Sequence, residues 1–467
     1  MVGIGQLNVE FLLLGMANNG NSSQNSAENS EVVLAPAGSA KKFLFVSLES
    51  LSGDLAWQVK KDGHEVKAYI KAKSDEDVYT GFVERVDSWE AYQDWADVIV
   101  FDDVGFGGAA EKLRAKGKFV VGGSVYTDKL EIDREFGQAE LKKYNISILP
   151  SWNFTDYNQA LEFIRNNPDR YVFKPSGNTP SAGKGLLFLG EEEDGKDLLE
   201  VFEKNKVAWQ KKAPVFQLQK YINGVEVAVG AFFNGNDFIY PINVNFEHKR
   251  VFPGDIGPFS GEMGTLMFWS ATNTLFRSTL EKMLPALRES KYIGYIDLNC
   301  IVNGRGIYPL EFTSRFGYPT IQIQEEGITM PAGEWLYRLA HGESFELKTK
   351  KGFQIGVRIL VPSYFYKEAS AETVKSYKDV AVLFKKQNME GVHIEDIKVS
   401  DDGVWRIAGI SGCVLVVTGS GTTVEEARKL VYSRIQNIMI PNMFYRTDIG
   451  VGWGTESDKL QTWGYLY

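Results

Sequence analysis

The stretch from Tyr295 to Arg315, YIDLNCIVNGRGIYPLEFTSR, constrains the fold more than any other part of the chain. Apolar and β-branched residues run up to Asn303-Gly304, a strong turn signal, and a second strand-like run follows. A hairpin centred on Gly304 sets Asp297 opposite Glu311, with both side chains and that of Thr313 on one face. Facing carboxylates repel unless a cation or a shared proton offsets them. The pattern therefore points to a Mg²⁺ site, with the guanidinium of Arg315 just beyond it to meet a phosphate. The alternative for the two acids alone is a pair of solvated charges on a surface hairpin.

At 467 residues the chain exceeds one compact domain, and about two to four are expected. A net charge of -9 argues against nucleic-acid binding by bulk electrostatics, while leaving room for a local basic phosphate site. The 2 cysteines, Cys300 and Cys413, lie far apart in apolar runs, which excludes zinc spacing and points to a reducing compartment, the cytoplasm. No apolar run reaches the length of a membrane span, and Phe11–Leu14 lacks the preceding basic residues of a signal peptide.

Residues 1–40 contain an Asn/Ser/Gly/Gln tract and read as a disordered or linker-like extension. Residues 41–128 alternate strands (Lys42–Ser47, His64–Ile70, Val98–Phe101, Lys118–Val121) with helix-like runs, the pattern of a parallel, Rossmann-like α/β domain. Its first turn, Ser47 to Gly53, has one glycine where a dinucleotide-binding loop needs three. Asp128 to Lys143 reads as one polar helix. The strand Tyr171–Lys174 then leads to Ser176-Gly-Asn-Thr-Pro-Ser-Ala-Gly-Lys-Gly185 and a further strand at Leu186–Leu189. The glycine spacing and the strand that follows exclude a Walker A loop. A glycine-rich flap over phosphates, or a flexible surface hairpin, remains.

Val215–Ile222 and Val225–Phe233 read as strands around Asn223-Gly224, and Asn245 to Gly264 as a long functional loop carrying Lys249 and Arg250. Thr272 to Glu289 has helical apolar spacing and reads as core. From about residue 350, strands at Phe353–Val361, Val392–Ile394, Val404–Ala408 and Cys413–Thr418 precede a helix capped by Thr423, expected to run to Ile440. The expected division is 41–128 N-terminal α/β, 129–350 central with a flap subdomain at about 150–220, 351–455 C-terminal α+β, and 456–467 tail.

These segments together resemble the ATP-grasp ligases and, within them, the phosphoribosylamine–glycine ligase family of purine biosynthesis. The resemblance rests on His248-Lys-Arg250 with Gly254-Asp255, Gly257-Pro258 and Met263-Gly264, on Leu310-Glu-Phe-Thr-Ser-Arg-Phe-Gly317, and on Phe444 to Gly450. It implies an ATP-grasp fold preceded by a Rossmann-like domain, and ATP with Mg²⁺ or Mn²⁺ as cofactors. Lys174 would contact the α/β-phosphates, and Ala182, Gly183, Lys184 and Gly185 would form the flap above them. Gln219, Lys220, Tyr221 and Ile222 would form the adenine hinge, with Glu226 near the ribose or the cation. Asp297, Glu311 and Thr313 would hold the metal, Arg315 would stabilise the transferring phosphoryl group, and Lys249 and Arg250 would meet substrate.

Three departures from the family pattern stand out. Thr313 occupies the usual position of an asparagine metal ligand, Gln217 and Gln219 replace acidic hinge residues, and Ser47–Asp54 replaces the glycine-rich stretch that receives a sugar phosphate. The implied partners are small molecules, an amino acid or other carboxylate and an amine, with no nucleic acid or membrane and a monomeric or dimeric state. A ligase for another carboxylate–amine pair, and a non-catalytic ATP-binding or structural relative, are the competing expectations.

Overall fold

The computed structural model describes residues 39–176, 186–366 and 371–467. The first sheet has β1 (Lys42–Ser47), β2 (Glu65–Ile70), β3 (Glu84–Arg85), β4 (Val98–Phe101) and β5 (Val120–Val121) in the order β3-β2-β1-β4-β5. All its pairings are parallel. The near-continuous apolar runs of β1 and β4 suit strands covered on both faces. Phe43, Phe45, Val98 and Val100 pack with Leu55 and Val59 of the helix Gly53–Lys61. Leu44, Val46, Ile99 and Phe101 pack with Ala110 and Leu113 of the helix Gly107–Ala115.

The single helix expected from Asp128 to Lys143 is two, Val125–Ile132 and Arg134–Lys143. Asp133 between them is extended and caps the second helix by accepting the Phe136 N–H at 3.1 Å. A carboxylate placed there satisfies an otherwise unpaired amide and restarts the helix. The break makes Arg134 the first residue of the second helix.

A small antiparallel sheet follows, with β6 (Ser151–Phe154), β7 (Tyr171–Pro175), β8 (Phe188–Leu189) and β9 (Phe216–Lys220) in the order β6-β9-β7-β8. The helices Tyr157–Asn166 and Lys196–Lys212 cover it over a core of Tyr157, Phe173, Phe202 and Phe216. The expected flap residues Ala182, Gly183, Lys184 and Gly185 lie outside the described residues.

The centre of the molecule is an eight-stranded antiparallel sheet. Its first members are β10 (Val225–Asn234) and β11 (Phe238–Glu247). Beyond them a short hairpin, β12 (Arg250–Phe252) and β13 (Ile256–Phe259), occupies half of what reads in sequence as a loop. Gly254 and Asp255, with φ of 77° and 55°, supply its left-handed bend. β14 (Gly264–Ser270), β15 (Ile293–Asn303), β16 (Gly306–Thr313) and β17 (Phe353–Leu360) come next in the chain. The runs around Asn223-Gly224 are both strands, but β9 belongs to the small sheet and β10 to the large one. The bend between them joins two sheets.

Leu275, Leu280, Met283 and Leu287 are buried as expected. The helix carrying them is interrupted at Thr279, however, leaving Thr274–Ser278, a 3₁₀ turn at Leu280–Met283 and Leu284–Glu289.

The C-terminal strands do not all form a sheet of their own. β18 (Ala381–Phe384), β20 (Ile397–Val399), β21 (Trp405–Ile407) and β23 (Ile438–Met439) form a small one. β17, β22 (Cys413–Gly421) and β19 (Val392–Ile394) extend the large sheet, whose order is β16-β15-β10-β11-β14-β17-β22-β19. The helix capped by Thr423 spans Val424–Ile435 and stops before Ile440, because Ile438 and Met439 pair with β18. Residues expected as a tail belong to the helix Trp453–Thr462, with Leu460 buried and Trp453 edge-on to Phe246, Phe268 and Phe353.

Candidate active site

The β15–β16 hairpin is the spine of the site, in a register different from the expected one. Asn303 pairs with Gly306 and Cys300 with Pro309, but Asn299 pairs with Glu311 and Asp297 with Thr313. Gly304 and Arg305 form the turn, and Leu310 is an extra residue in β16. Proline has no N–H to give a ladder, and a bulge beside Pro309 is where a strand accommodates it. The Thr313 side chain accordingly hydrogen-bonds Asp297, and Glu311 faces Asn299.

Glu311 reaches a cavity of about 340 Å³ between the small and large sheets. Val172, Leu187, Leu189, Ile222, Ile301 and Leu310 make its apolar walls, and Arg134, Lys174, Glu226, Lys249 and Glu311 its charged end. The Lys249 ammonium stands among three carboxylates, 2.8 Å from Glu226, 3.4 Å from Glu247 and 3.6 Å from Glu311. Arg134 lies 3.3 Å from the other oxygen of Glu311. Burial alone would raise the Glu311 carboxyl, but Lys249, Arg134 and Lys174 outweigh it and hold it at about 2. Burial, with Arg134 close by, lowers the Lys174 ammonium to about 8. The three carboxylates raise Lys249 despite its burial.

Of the expected hinge, Gln219, Lys220, Tyr221 and Ile222 all line the cavity. The Lys220 and Tyr221 N–H groups are already given to Pro150 and Arg170 carbonyls, and the Tyr221 ring lies 3.6 Å beneath the Arg170 guanidinium.

Two buried oxygens on β15 suit a hard cation. Asp297 Oδ1 and Asn299 Oδ1 are buried without a hydrogen-bond partner, while Asn299 Nδ2 donates to Glu247 at 3.0 Å. Carboxylate and amide oxygens of this kind fit Mg²⁺. Burial, with Glu247 nearby, raises the Asp297 carboxyl.

Arg315 lies 3.2 Å from Glu131 and 3.6 Å from Asp103, with Nη1 donating to the Phe316 carbonyl, and its charge also acts on Asp297. It is absent from the lining of the cavity that holds Lys174 and Glu311. Arg134, Glu247 and Asn299 are not legible in the sequence, since sheet pairing brings Glu247 and Asn299 beside Glu311 and the helix restart at Asp133 brings Arg134 there. The nearest signal is the clustering of charge at Glu247 to Arg250.

A second cavity, about 320 Å³, adjoins the first and is lined by Glu226, Glu247, His248, Lys249, Arg250 and Asp255, among others. Arg250 stacks 3.7 Å over Phe259 and donates to the Gly257 carbonyl. Burial and the neighbouring Arg446 lower the His248 imidazole, which favours its neutral form.

The first turn of the N-terminal sheet is closed internally. Asp102 accepts both the Ser47 hydroxyl and the Ser52 N–H, and the Leu51 N–H donates to Ser47 Oγ. The Tyr79 ring packs on Gly53 so tightly that a Cβ there would lie 1.9 Å from it.

A small antiparallel lobe and a large antiparallel sheet closing on a cavity with lysines, arginine and glutamates at one end are the ATP-grasp architecture. The fold is that of the ATP-grasp proteins. Residues 132–321 match the family described as phosphoribosylglycinamide synthetase, ATP-grasp (A) domain, and it is to proteins of that kind that the chain is similar. A phosphoribosylamine–glycine ligase of Listeria monocytogenes is 28% identical over 355 residues, 73% of this chain and 81% of the relative. The chloroplastic enzyme of that name from Arabidopsis thaliana is 25% identical over 356 residues, 73% of this chain and 65% of its own length. Among solved structures, phosphoribosylamine–glycine ligase of Thermotoga maritima superposes with a TM-score of 0.65 at 19% identity, covering 88% of this chain and 100% of its own. Biotin carboxylase of Campylobacter jejuni superposes with a TM-score of 0.60 at 13% identity, covering 92% and 98%. At these identities the structural likenesses speak to the fold. Among the described residues, no helix is long and apolar enough to cross a membrane.

Proposed function

We propose that the chain is an ATP-dependent carboxylate–amine ligase, joining phosphoribosylamine and glycine through an acyl phosphate with release of ADP and phosphate. The observation that carries this reading is the convergence of Lys174, Arg134 and Lys249 on Glu311 at one end of an apolar, nucleotide-sized cleft. The adenine would lie between Val172, Leu187, Leu189 and Ile222, beside the hinge Gln219–Ile222. The phosphates would extend toward Lys174 and Arg134. Glu311, with Asn299 and Asp297, would hold Mg²⁺, which supplies charge neutralisation on the phosphates when bound.

Phosphoryl transfer asks the protein for position and charge rather than a nucleophile. Lys174 and Arg134 orient the leaving and transferring groups. Lys249 and Arg250, at the junction of the two cavities, orient the attacking carboxylate and then the acyl phosphate that an amine displaces. His248, held neutral, is available to accept a proton from that amine. Arg315 acts on this reading as a positioning residue that anchors the β16 end to Glu131 and Asp103. The same reading places the protein in the cytoplasm, working on small molecules.

One observation favours a second reading, a ligase for a different carboxylate–amine pair. In the turn where a sugar phosphate would be received, the Ser47 hydroxyl and the Ser52 N–H are already given to Asp102. The deciding experiment is ADP release with Mg·ATP, glycine and phosphoribosylamine generated in the assay. Turnover that needs both substrates supports the first reading. ATP binding without such turnover moves the assignment to the second.

A further inference from the structure

Asp54, Glu325 and His393 meet far from each other in sequence, on the helix Gly53–Lys61, the helix Thr320–Gly327 and β19. One ligand atom of each lies within 4.8 Å of the others. Their side chains are 1%, 8% and 7% exposed. None lines the cleft that holds Lys174 and Glu311.

The surroundings orient these atoms toward one another. His393 Nε2 is 3.0 Å from Thr418 Oγ1, which is itself 3.0 Å from Glu326 Oε2. A threonine hydroxyl has one proton; given to Glu326, it leaves the oxygen to accept from His393 Nε2–H. The Nδ1 atom is then the one that faces the acids, 2.6 Å from Asp54 Oδ2 and 3.9 Å from Glu325 Oε2. Asp54 Oδ1 is fixed by the Ile394 N–H at 2.9 Å. Neither oxygen of Glu325 meets a hydrogen-bond donor. Two buried carboxylates facing one imidazole are costly without further positive charge. A cavity of about 370 Å³ lined by Glu325 and His393 opens the cluster to solvent.

We propose that Asp54 Oδ2, Glu325 and His393 Nδ1 form a three-ligand site for a divalent transition-metal cation of the Zn²⁺ class, with the fourth position open to the adjoining cavity. The donor set, one imidazole and two carboxylates, suits such a cation, and the His393–Thr418–Glu326 chain is the outer support that metal-bound histidines use. The cation would pin the first helix of the N-terminal domain to the large sheet and its covering helix.

The test is Co²⁺ titration of the full-length, chelator-treated protein without nucleotide, followed by visible absorption, and Zn²⁺ competition. One equivalent of Co²⁺ bound in a four- or five-coordinate site and displaced by Zn²⁺ is expected. Glu325→Gln and His393→Asn should each lose it, and Thr418→Val should weaken it about tenfold or more. Glu311→Gln should leave it unchanged, which separates this site from the nucleotide cleft. Wild-type protein that takes up no Co²⁺, or only what Glu311→Gln removes, overturns the proposal and leaves the acids sharing a proton instead. Uptake unaltered in both Glu325→Gln and His393→Asn overturns it equally. Circular dichroism on the variants confirms that they fold, and the wild-type titration decides the matter if either does not.

Discussion

Asp102 accepts the Ser52 N–H at 3.0 Å, using a carboxylate to satisfy the amide that leads into the first helix of the N-terminal domain. A helix start whose amide is already given to an internal carboxyl has less to offer an external anion. Asp102→Ser should therefore improve binding of a phosphate-bearing amine, with KM falling about threefold to tenfold for an electrostatic change of this kind. Steady-state kinetics against phosphoribosylamine would detect it, and an unchanged or higher KM would count against an anion role for this turn.

The same carboxyl is raised to about 7, chiefly by burial. A group that holds its proton longer when folded makes the native state the better proton binder between its unfolded and folded pKa values, so stability falls as pH rises through that window. Asp102→Asn removes this dependence. The Tm of the variant should move upward relative to wild type as pH goes from about 4 to 7. A constant difference across that range would show that the carboxyl is ionised throughout.

Lys174, lowered to about 8 by burial and Arg134, should lose its charge above that pH in the free protein. The kcat/KM for ATP is expected to fall on the alkaline side of about 8, while kcat changes less because bound phosphates restore the proton. In Lys174→Arg this limb should disappear. Its persistence would assign the titration to another group.

Arg134 and Arg315 should separate in their effects. Arg134→Met removes a cation from the charged end of the cleft and should lower ATP turnover about 100-fold with little change in Tm. Arg315→Met removes the cation beside Glu131 and Asp103 and should cost on the order of 2 kcal/mol of stability. Paired urea melts and ADP-release rates would distinguish them, and the reverse pattern would return Arg315 to the chemistry.

Glu311→Gln should reduce turnover about 100-fold or more while leaving the fold intact, since in its proposed role the residue acts through the phosphates and their cation. Retained activity would remove Glu311 from the site.

Much of this was legible in the sequence because it depends on local pattern. The apolar runs of β1 and β4, a turn including Gly304 and the cap at Thr423 each express their structure within a few residues. The register of Asp297 did not, since the extra residue at Leu310 depends on how a strand containing Pro309 meets its partner. Glu247 and Asn299 are separated by 52 positions and become neighbours only through the sheet. Arg134 enters the cleft because Asp133 restarts a helix that periodicity alone draws as continuous. Flanking chemistry of this sort is set by tertiary pairing, which no window of sequence contains.

The central sheet also has a consequence for synthesis. β14 lies between β11 and β17, and β17 is in turn paired by β22. As the chain leaves the ribosome, β14 keeps a bare hydrogen-bonding edge until Phe353–Leu360 has emerged, and β17 keeps one until Cys413–Gly421 follows. Exposed edges of this kind invite pairing with other chains. A nascent chain stalled after residue 350 would thus carry a nearly complete nucleotide cleft on an open, adhesive sheet.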